Sequence, residues 1–252
     1  MSIWNRTHNL DRMTLPELVR AFFTYPAILT YLGLSAIIIA LIPGWAASAL
    51  ALVPAVALTI IVYPLVWYLL HRYVLHGRFL YKNRFTAPAW KRIHFDHHQD
   101  PHNLRVLFGA LYTTLPTIGI VTIPIGYAVA GPAGAATAFV TGLLTTCFYE
   151  FCHCVQHLNF APKSKFLQRI KKLHLQHHFH NEQGNYGITN YLWDKLLGTY
   201  YETARDLPKS ATVFNLGYTE EEAQRYPWVA ALSHGTRGDG NPRRFRVASG
   251  GR

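Results

Sequence analysis

Two long stretches of this 252-residue chain, 21–70 and 106–149, contain no Lys, Arg, Asp, Glu or His. All 24 basic residues, 13 acidic residues and 14 histidines fall outside them. One membrane-crossing helix needs about 20 apolar residues, so each stretch is long enough for two. Each also has a Gly/Pro turn signal near its middle, IPGW at 42–45 and AGPAG at 130–134. The expectation is two transmembrane hairpins, 24–43 with 46–70 and 106–129 with 133–152. Buried core helices of a soluble protein are the competing reading, but such helices rarely run this far without a charge.

Two hairpins return the chain to one side each time. The N-terminus, residues 71–105 and the segment from 153 onward then share a face that carries every Lys and Arg. The positive-inside rule makes that face cytoplasmic. A net charge of +11 suits contact with anionic headgroups. No nucleic-acid-binding motif accompanies it. The fold class expected is an all-α integral membrane protein of about four spans, with a helical, histidine-rich cytoplasmic cap.

Residues 1–23 read as an interfacial segment rather than a signal peptide, since acids and bases precede the first apolar run. Within it, Thr14 and Glu17 of TLPELVRAFF have capping-box spacing. Residues 24–204 form the membrane domain and 205–252 a cytoplasmic tail. Its Gly- and Arg-rich end, GTRGDGNPRRFRVASGGR, reads as disordered. Cys147, Cys152 and Cys154 lack a CxxC pair and read as packing residues.

The histidines cluster. RIHFDHHQDPH (92–102) and KLHLQHHFHN (172–181) both contain His-x-x-His-His: His94, His97, His98 and His174, His177, His178. On a helix of 3.6 residues per turn, positions i, i+3 and i+4 share a face. HCVQH places His153 and His157 at i and i+4. HRYVLH places His71 and His76 at i and i+5, about 140° apart on an ideal helix. That pair meets at one centre only if the helix bends or ends, or else the two serve different metals. Any single histidine is more often an ordinary polar side chain, and His8, His102, His180 and His234 are read so. Ten in four spaced groups point to a metal site. A tetrahedral ion takes four ligands, so ten imply two ions. Imidazole alone does not choose among iron, copper, nickel and zinc. Each ring should give its second N–H to a carboxylate or carbonyl. Asp96, Asp100, Glu150, Glu182 and Asp194 are candidate carboxylates.

HRYVLH, HFDHHQDP, HCVQH and HLQHHF, followed by YGITNYLWDKLLGT, resemble the membrane-bound fatty acid hydroxylase and sterol desaturase superfamily over about residues 60–204. The likeness is closest to fatty acid 2-hydroxylases, through Tyr186, Gly187, Ile188, Trp193, Asp194, Gly198 and Thr199. The resemblance implies a di-iron oxygenase whose two iron ions are held by the ten histidines, with zinc able to replace iron in purified protein. The expected reaction is O2-dependent hydroxylation of a lipid acyl chain at C-2. Some eukaryotic members carry a fused haem domain and this chain has no room for one before its first apolar run. A separate electron donor of ferredoxin or haem cytochrome type is therefore expected, and the bacterial inner membrane rather than the endoplasmic reticulum. A sterol or hopanoid C-4 methyl oxidase and a lipid desaturase are the alternatives within the superfamily. A metal-binding membrane protein and a zinc lipid hydrolase are those outside it. A transport site would place its ligands within the spans, and a zinc hydrolase needs fewer histidines.

Overall fold

Helix α1 (Leu15–Phe23) begins where the Thr14/Glu17 spacing places it. Thr14 Oγ1 accepts from the Glu17 N–H at 3.4 Å and Glu17 Oε2 accepts from the Thr14 N–H at 2.8 Å. These reciprocal bonds satisfy two of the donors a helix start leaves open. The structure is a computed structural model that describes residues 9–45 and 48–233, together with the backbone of 236–238 and 245–247.

Helices α2 (Pro26–Leu41) and α3 (Ala49–Leu69) are apolar around their whole circumference. Such helices belong either in a large core or in lipid. Here Ile37, Ile61 and Leu50 point outward, and Leu50 is 82% exposed. Water would not tolerate that surface over two whole helices; lipid would. The helical stretches Pro26–Trp45, Ala49–Leu75 and Leu104–His157 are each long and apolar enough to cross a membrane.

Three short helices follow α3: α4 (Ala87–Trp90), α5 (Asp96–Gln99) and α6 (Leu104–Leu107). Then α7 (Leu111–His157) runs for 47 residues with a break at Ala130 and Gly131, where Gly131 takes φ +57°. Only glycine enters that region at little cost, and Pro132 follows immediately. The two arms fold back on each other. A Cβ on Gly126 would overlap the Gly134 carbonyl oxygen, and one on Gly142 would lie 2.8 Å from Ile118 Cγ2. The AGPAG signal is thus a turn between two closely packed arms. Tyr31 OH meets Thr114 Oγ1 at 2.5 Å and Tyr63 OH meets Thr146 Oγ1 at 2.6 Å, tying α2 and α3 to those arms. Buried hydroxyls in an apolar bundle need such partners.

Beyond the bundle come α8 (Lys165–Phe179), α9 (Leu192–Leu196), α10 (Glu220–Arg225) and α11 (Trp228–Leu232). Residues 213–229 are not a loose tail. Leu216, Tyr218 and Val229 bury against Tyr81, Trp90 and Phe95 in a core of their own. Among the described residues the regular elements are helical, apart from one antiparallel ribbon, β1 (Thr236–Gly238) with β2 (Phe245–Val247), and an isolated bridge between Asn9 and Asn103. The disorder expected for GTRGDGNPRRFRVASGGR otherwise falls outside the described residues. Cys147, Cys152 and Cys154 are buried free thiols that pack the bundle.

Candidate metal centre

The i, i+5 pair is resolved by the backbone. Leu70–Leu75 forms a π-helical turn directly after α3. Its bonds run i→i+5, so the His76 N–H donates to the His71 carbonyl at 3.1 Å. The two side chains then lie one above the other, and their Nε2 atoms are 3.2 Å apart. A second π-helical turn, Lys91–Phe95, leads into α5 and aims His94 at His76, Nε2 to Nε2 2.8 Å. Such insertions cost regularity and are found where a site needs side chains re-aimed.

All ten histidines converge, in two groups of five. His71, His76, His94, His98 and His177 form one; His97, His153, His157, His174 and His178 form the other. Within each group, one ring nitrogen per residue lies within 4.8 Å of every other. Each His-x-x-His-His box is shared between the groups. From α5 and the turn before it, His94 and His98 go to the first and His97 to the second. From α8, His174 and His178 go to the second and His177 to the first. Face-sharing alone did not assign them, because the line between the groups passes through that shared face.

The donor set fits metal ions. Nitrogens about 2.0–2.1 Å from one ion lie about 3 Å apart at right angles and about 4.2 Å when opposite. His157 and His174 Nε2 are 2.9 Å apart, like the closest pairs of the first group. Proton bookkeeping points the same way. Nδ1 of His71, His98 and His177 lies 2.6, 2.9 and 2.7 Å from the carbonyl oxygens of Tyr186, Val213 and Gly184. A carbonyl only accepts, so Nδ1 carries the proton and Nε2 presents a lone pair inward. Buried Nε2 of His98 and His177, and both nitrogens of His97 and His178, have no hydrogen-bond partner among the described residues. Burial also pushes His98 down to about 3 and holds His97, His177 and His178 well below the usual imidazole range. These rings are neutral, the form that binds metal.

The outer partners are backbone carbonyls rather than the candidate carboxylates. Asp96 pairs with Lys91 at 2.7 Å. Asp100 accepts from Asn103 Nδ2 at 3.2 Å. Glu182 accepts from the Thr212 hydroxyl at 2.6 Å. Glu150 accepts from the Gly109 N–H at 3.2 Å. Asp194 acts one step removed. Its oxygens accept from the N–H groups of Tyr186 and Gly187 at 2.7 and 2.9 Å and from the Thr199 hydroxyl at 2.8 Å. That clamp fixes the loop whose Tyr186 carbonyl meets His71. A Cβ on Gly187 would overlap the Asn190 carbonyl oxygen and lie 2.9 Å from Asp194 Oδ2, which is why glycine stands there. Gly184 and Val213 carry no mark of this role in the sequence, since a backbone carbonyl has no residue signature. His102 and His180 stay outside both groups; each ring meets a backbone carbonyl, of His157 at 2.9 Å and of Leu207 at 2.8 Å.

A cavity of about 260 Å³ opens beside the histidines. His71, His94, His97, His153, His174 and His178 line one part of it. Apolar side chains such as Trp67, Leu70, Leu107 and Ile188 line much of the rest, with Glu150, Thr113, Thr114 and Thr117 among them. A concave, mainly apolar wall with a few polar groups is the usual character of a small-molecule site.

Residues 56–199 match the sequence profile described as fatty acid hydroxylase. The dihydroceramide fatty acyl 2-hydroxylase FAH1 of Arabidopsis thaliana is 32% identical over 149 residues, covering 59% of this chain and 61% of that one. The ceramide very long chain fatty acid hydroxylase SCS7 of Saccharomyces cerevisiae is 30% identical over 148 residues, covering 56% and 36%. The fatty acid 2-hydroxylase of Homo sapiens is 28% identical over 131 residues, covering 52% and 35%. The matches therefore span at most about six tenths of these relatives' length. A solved structure described as full length scs7p, with only its hydroxylase domain visible, superposes with a TM-score of 0.57 at 24% identity, over 80% of this chain and 71% of that one. That likeness is one of fold.

Proposed function

This chain belongs to the fatty acid hydroxylase family, and from that premise we propose that it is a membrane di-iron oxygenase that hydroxylates a lipid acyl chain at C-2. The observation that carries the reading is the pair of five-histidine groups, six of whose members line one largely apolar cavity. The 2-hydroxylases among its relatives favour C-2 over ring or mid-chain carbons.

The reaction is RH + O2 + 2e⁻ + 2H⁺ → ROH + H2O. Two iron ions, when bound, supply the O2 chemistry that no side chain can perform on an unactivated C–H bond. The ten histidines are their ligands. The protein's part is to hold those ligands neutral, orient the acyl chain and exclude water. His71 and His76 follow α3 directly, and His153 and His157 end α7. The centre therefore sits where the apolar helices meet the polar cap, the depth of an acyl carbonyl in a bilayer. C-2 lies beside that carbonyl.

The bundle crosses the membrane four times, the two arms of α7 counting separately, with the cap on the cytoplasmic face that bears the Lys and Arg residues. A redox protein of ferredoxin or haem cytochrome type delivers the electrons there. The test is mass spectrometry of hydrolysed lipids from cells with and without the gene, under ¹⁸O2. Labelled 2-hydroxy acids that need the gene support the reading. Unchanged hydroxy acids with loss of a C-4-oxidised sterol-type or unsaturated lipid overturn it.

A further inference from the structure

The two groups of histidines are backed unequally. In the first, three rings are anchored from outside. Nδ1 of His71, His98 and His177 each donates to a backbone carbonyl, of Tyr186, Val213 and Gly184, at 2.6–2.9 Å. In the second, four rings of five lack such an anchor among the described residues. His157 and His174 point their Nε2 atoms at each other, 2.9 Å apart, so Nδ1 is the outer atom of both. Those Nδ1 atoms are buried without a partner, and so are both nitrogens of His97 and of His178. The second group is held through its main chain instead. At the end of α7, Lys171 Nζ donates to the carbonyls of Val155 and Leu158, and His102 Nδ1 donates to that of His157. These bonds fix the helix end that carries His153 and His157. None of them is made by a ring of the second group.

The difference bears on metal affinity. An ion bound at Nε2 leaves the ring's proton on Nδ1. In the first group a carbonyl already accepts that proton. In the second the polarised N–H stays buried without an acceptor, which costs free energy. An anchored ring is also oriented before the ion arrives, whereas an unanchored imidazole has a broad, two-fold χ2 to be fixed on binding. Outer partners of this kind are worth about 10- to 100-fold in affinity. We propose that the two metal positions are inequivalent. The first group is the tight position, which fills first. The second is the labile one, filled last and emptied first. The inference rests on the two-ion reading and adds an order of assembly to it. A chain short of metal holds one ion in the first group, and the pair forms only as supply rises.

The experiment uses the full chain in lipid nanodiscs, stripped of metal, with Zn(II) as the probe. Titration of wild type alone does not decide, because neighbouring dications repel and separate the steps even at equal sites. Two double variants isolate the positions. Among the ten, the rings of His71 and His76 pack only on members of the first group. Those of His153 and His157 pack only on members of the second. H153A/H157A should keep one zinc at the tight affinity. H71A/H76A should keep one zinc bound about 10- to 100-fold more weakly. Equal affinities, or the reverse order, overturn the proposal. A second measurement needs no variant. Wild type is loaded with one zinc per chain and crystallised, and anomalous scattering places the ion. It should lie in the first group. An ion in the second group, or divided evenly between the two, overturns the proposal as well. If wild type takes up fewer than two zinc ions per chain at saturation, the two-ion reading fails and this inference falls with it. Two ions at positions of equal affinity leave that reading standing and sink this inference alone.

Discussion

His98 and His178 stack with ring centroids 4.1 Å apart and planes 25° from parallel, and each belongs to a different group of five. The two groups are therefore neighbours across a pair of touching rings. His98 is anchored from the far side by the Val213 carbonyl, so a residue well beyond the last histidine box helps to fix the junction.

From that junction comes the first prediction. H98A removes one member of the first group, and H97A one member of the second. Each should lower metal content from two per chain toward one and cut hydroxylation by at least about 100-fold, as losing a metal-centre ligand does. Elemental analysis by mass spectrometry beside a turnover assay reads both. Two metals and full turnover in either variant would remove that residue from the ligand set.

A second prediction concerns chelation. Ten neutral imidazoles with buried lone pairs are stabilised by ions that bind only the folded chain. Saturation at about 1,000 times Kd contributes about 4 kcal/mol. Stripping the metal should then lower Tm by on the order of 10 °C for a chain of this size. Adding Fe(II) should restore both Tm and activity. A Tm indifferent to chelator, with metal loss verified, would mean that the histidines need no ion to stay buried.

Asp194 supports the third. D194A leaves the buried N–H groups of Tyr186 and Gly187 without their acceptor. Each unpaired group costs about 1–3 kcal/mol, and the Tyr186 carbonyl loses its hold on His71. Metal affinity should fall about 10- to 100-fold. D194N retains one amide oxygen and should sit between D194A and wild type. A competition titration with a metallochromic indicator checks this. D194A with wild-type affinity would show that the clamp does not reach the centre.

How far the sequence could be read depends on the kind of signal. The α1 start was legible because Thr14 and Glu17 are side-chain partners at a fixed spacing. The α7 turn was legible because Gly131 and Pro132 punctuate an otherwise apolar run. The ten histidines were legible as a set because four boxes repeat. Their division between two groups was not. It depends on π-helical turns at 70–75 and 91–95, which no propensity marks. The packing of residues 213–229 on Tyr81 and Trp90 was equally hidden. It rests on long-range burial of isolated aromatics, not on periodicity. The 205–252 segment therefore read as tail, although Val213 contributes a carbonyl to the site.

The last prediction is topology. If α2, α3 and both arms of α7 cross the bilayer, then Gly44 and Gly131 lie on one side. Arg84 and Lys209 lie on the other, with the basic residues. Single cysteines at 44, 131, 84 and 209, in a chain whose Cys147, Cys152 and Cys154 are replaced by serine or alanine, should label in that pattern with an impermeant maleimide. Gly44 is exposed and nothing lies within 4 Å of a Cβ built there, so that substitution is tolerated. Gly131 has space too, but its φ of +57° adds about 1 kcal/mol of strain. G126V is the packing control. Its side chain would collide with the Gly134 backbone, so it should unfold the α7 hairpin and scramble labelling at 131. Labelling of 84 from the same side as 131 would leave the arms of α7 as a re-entrant pair, and the four-crossing bundle would be wrong.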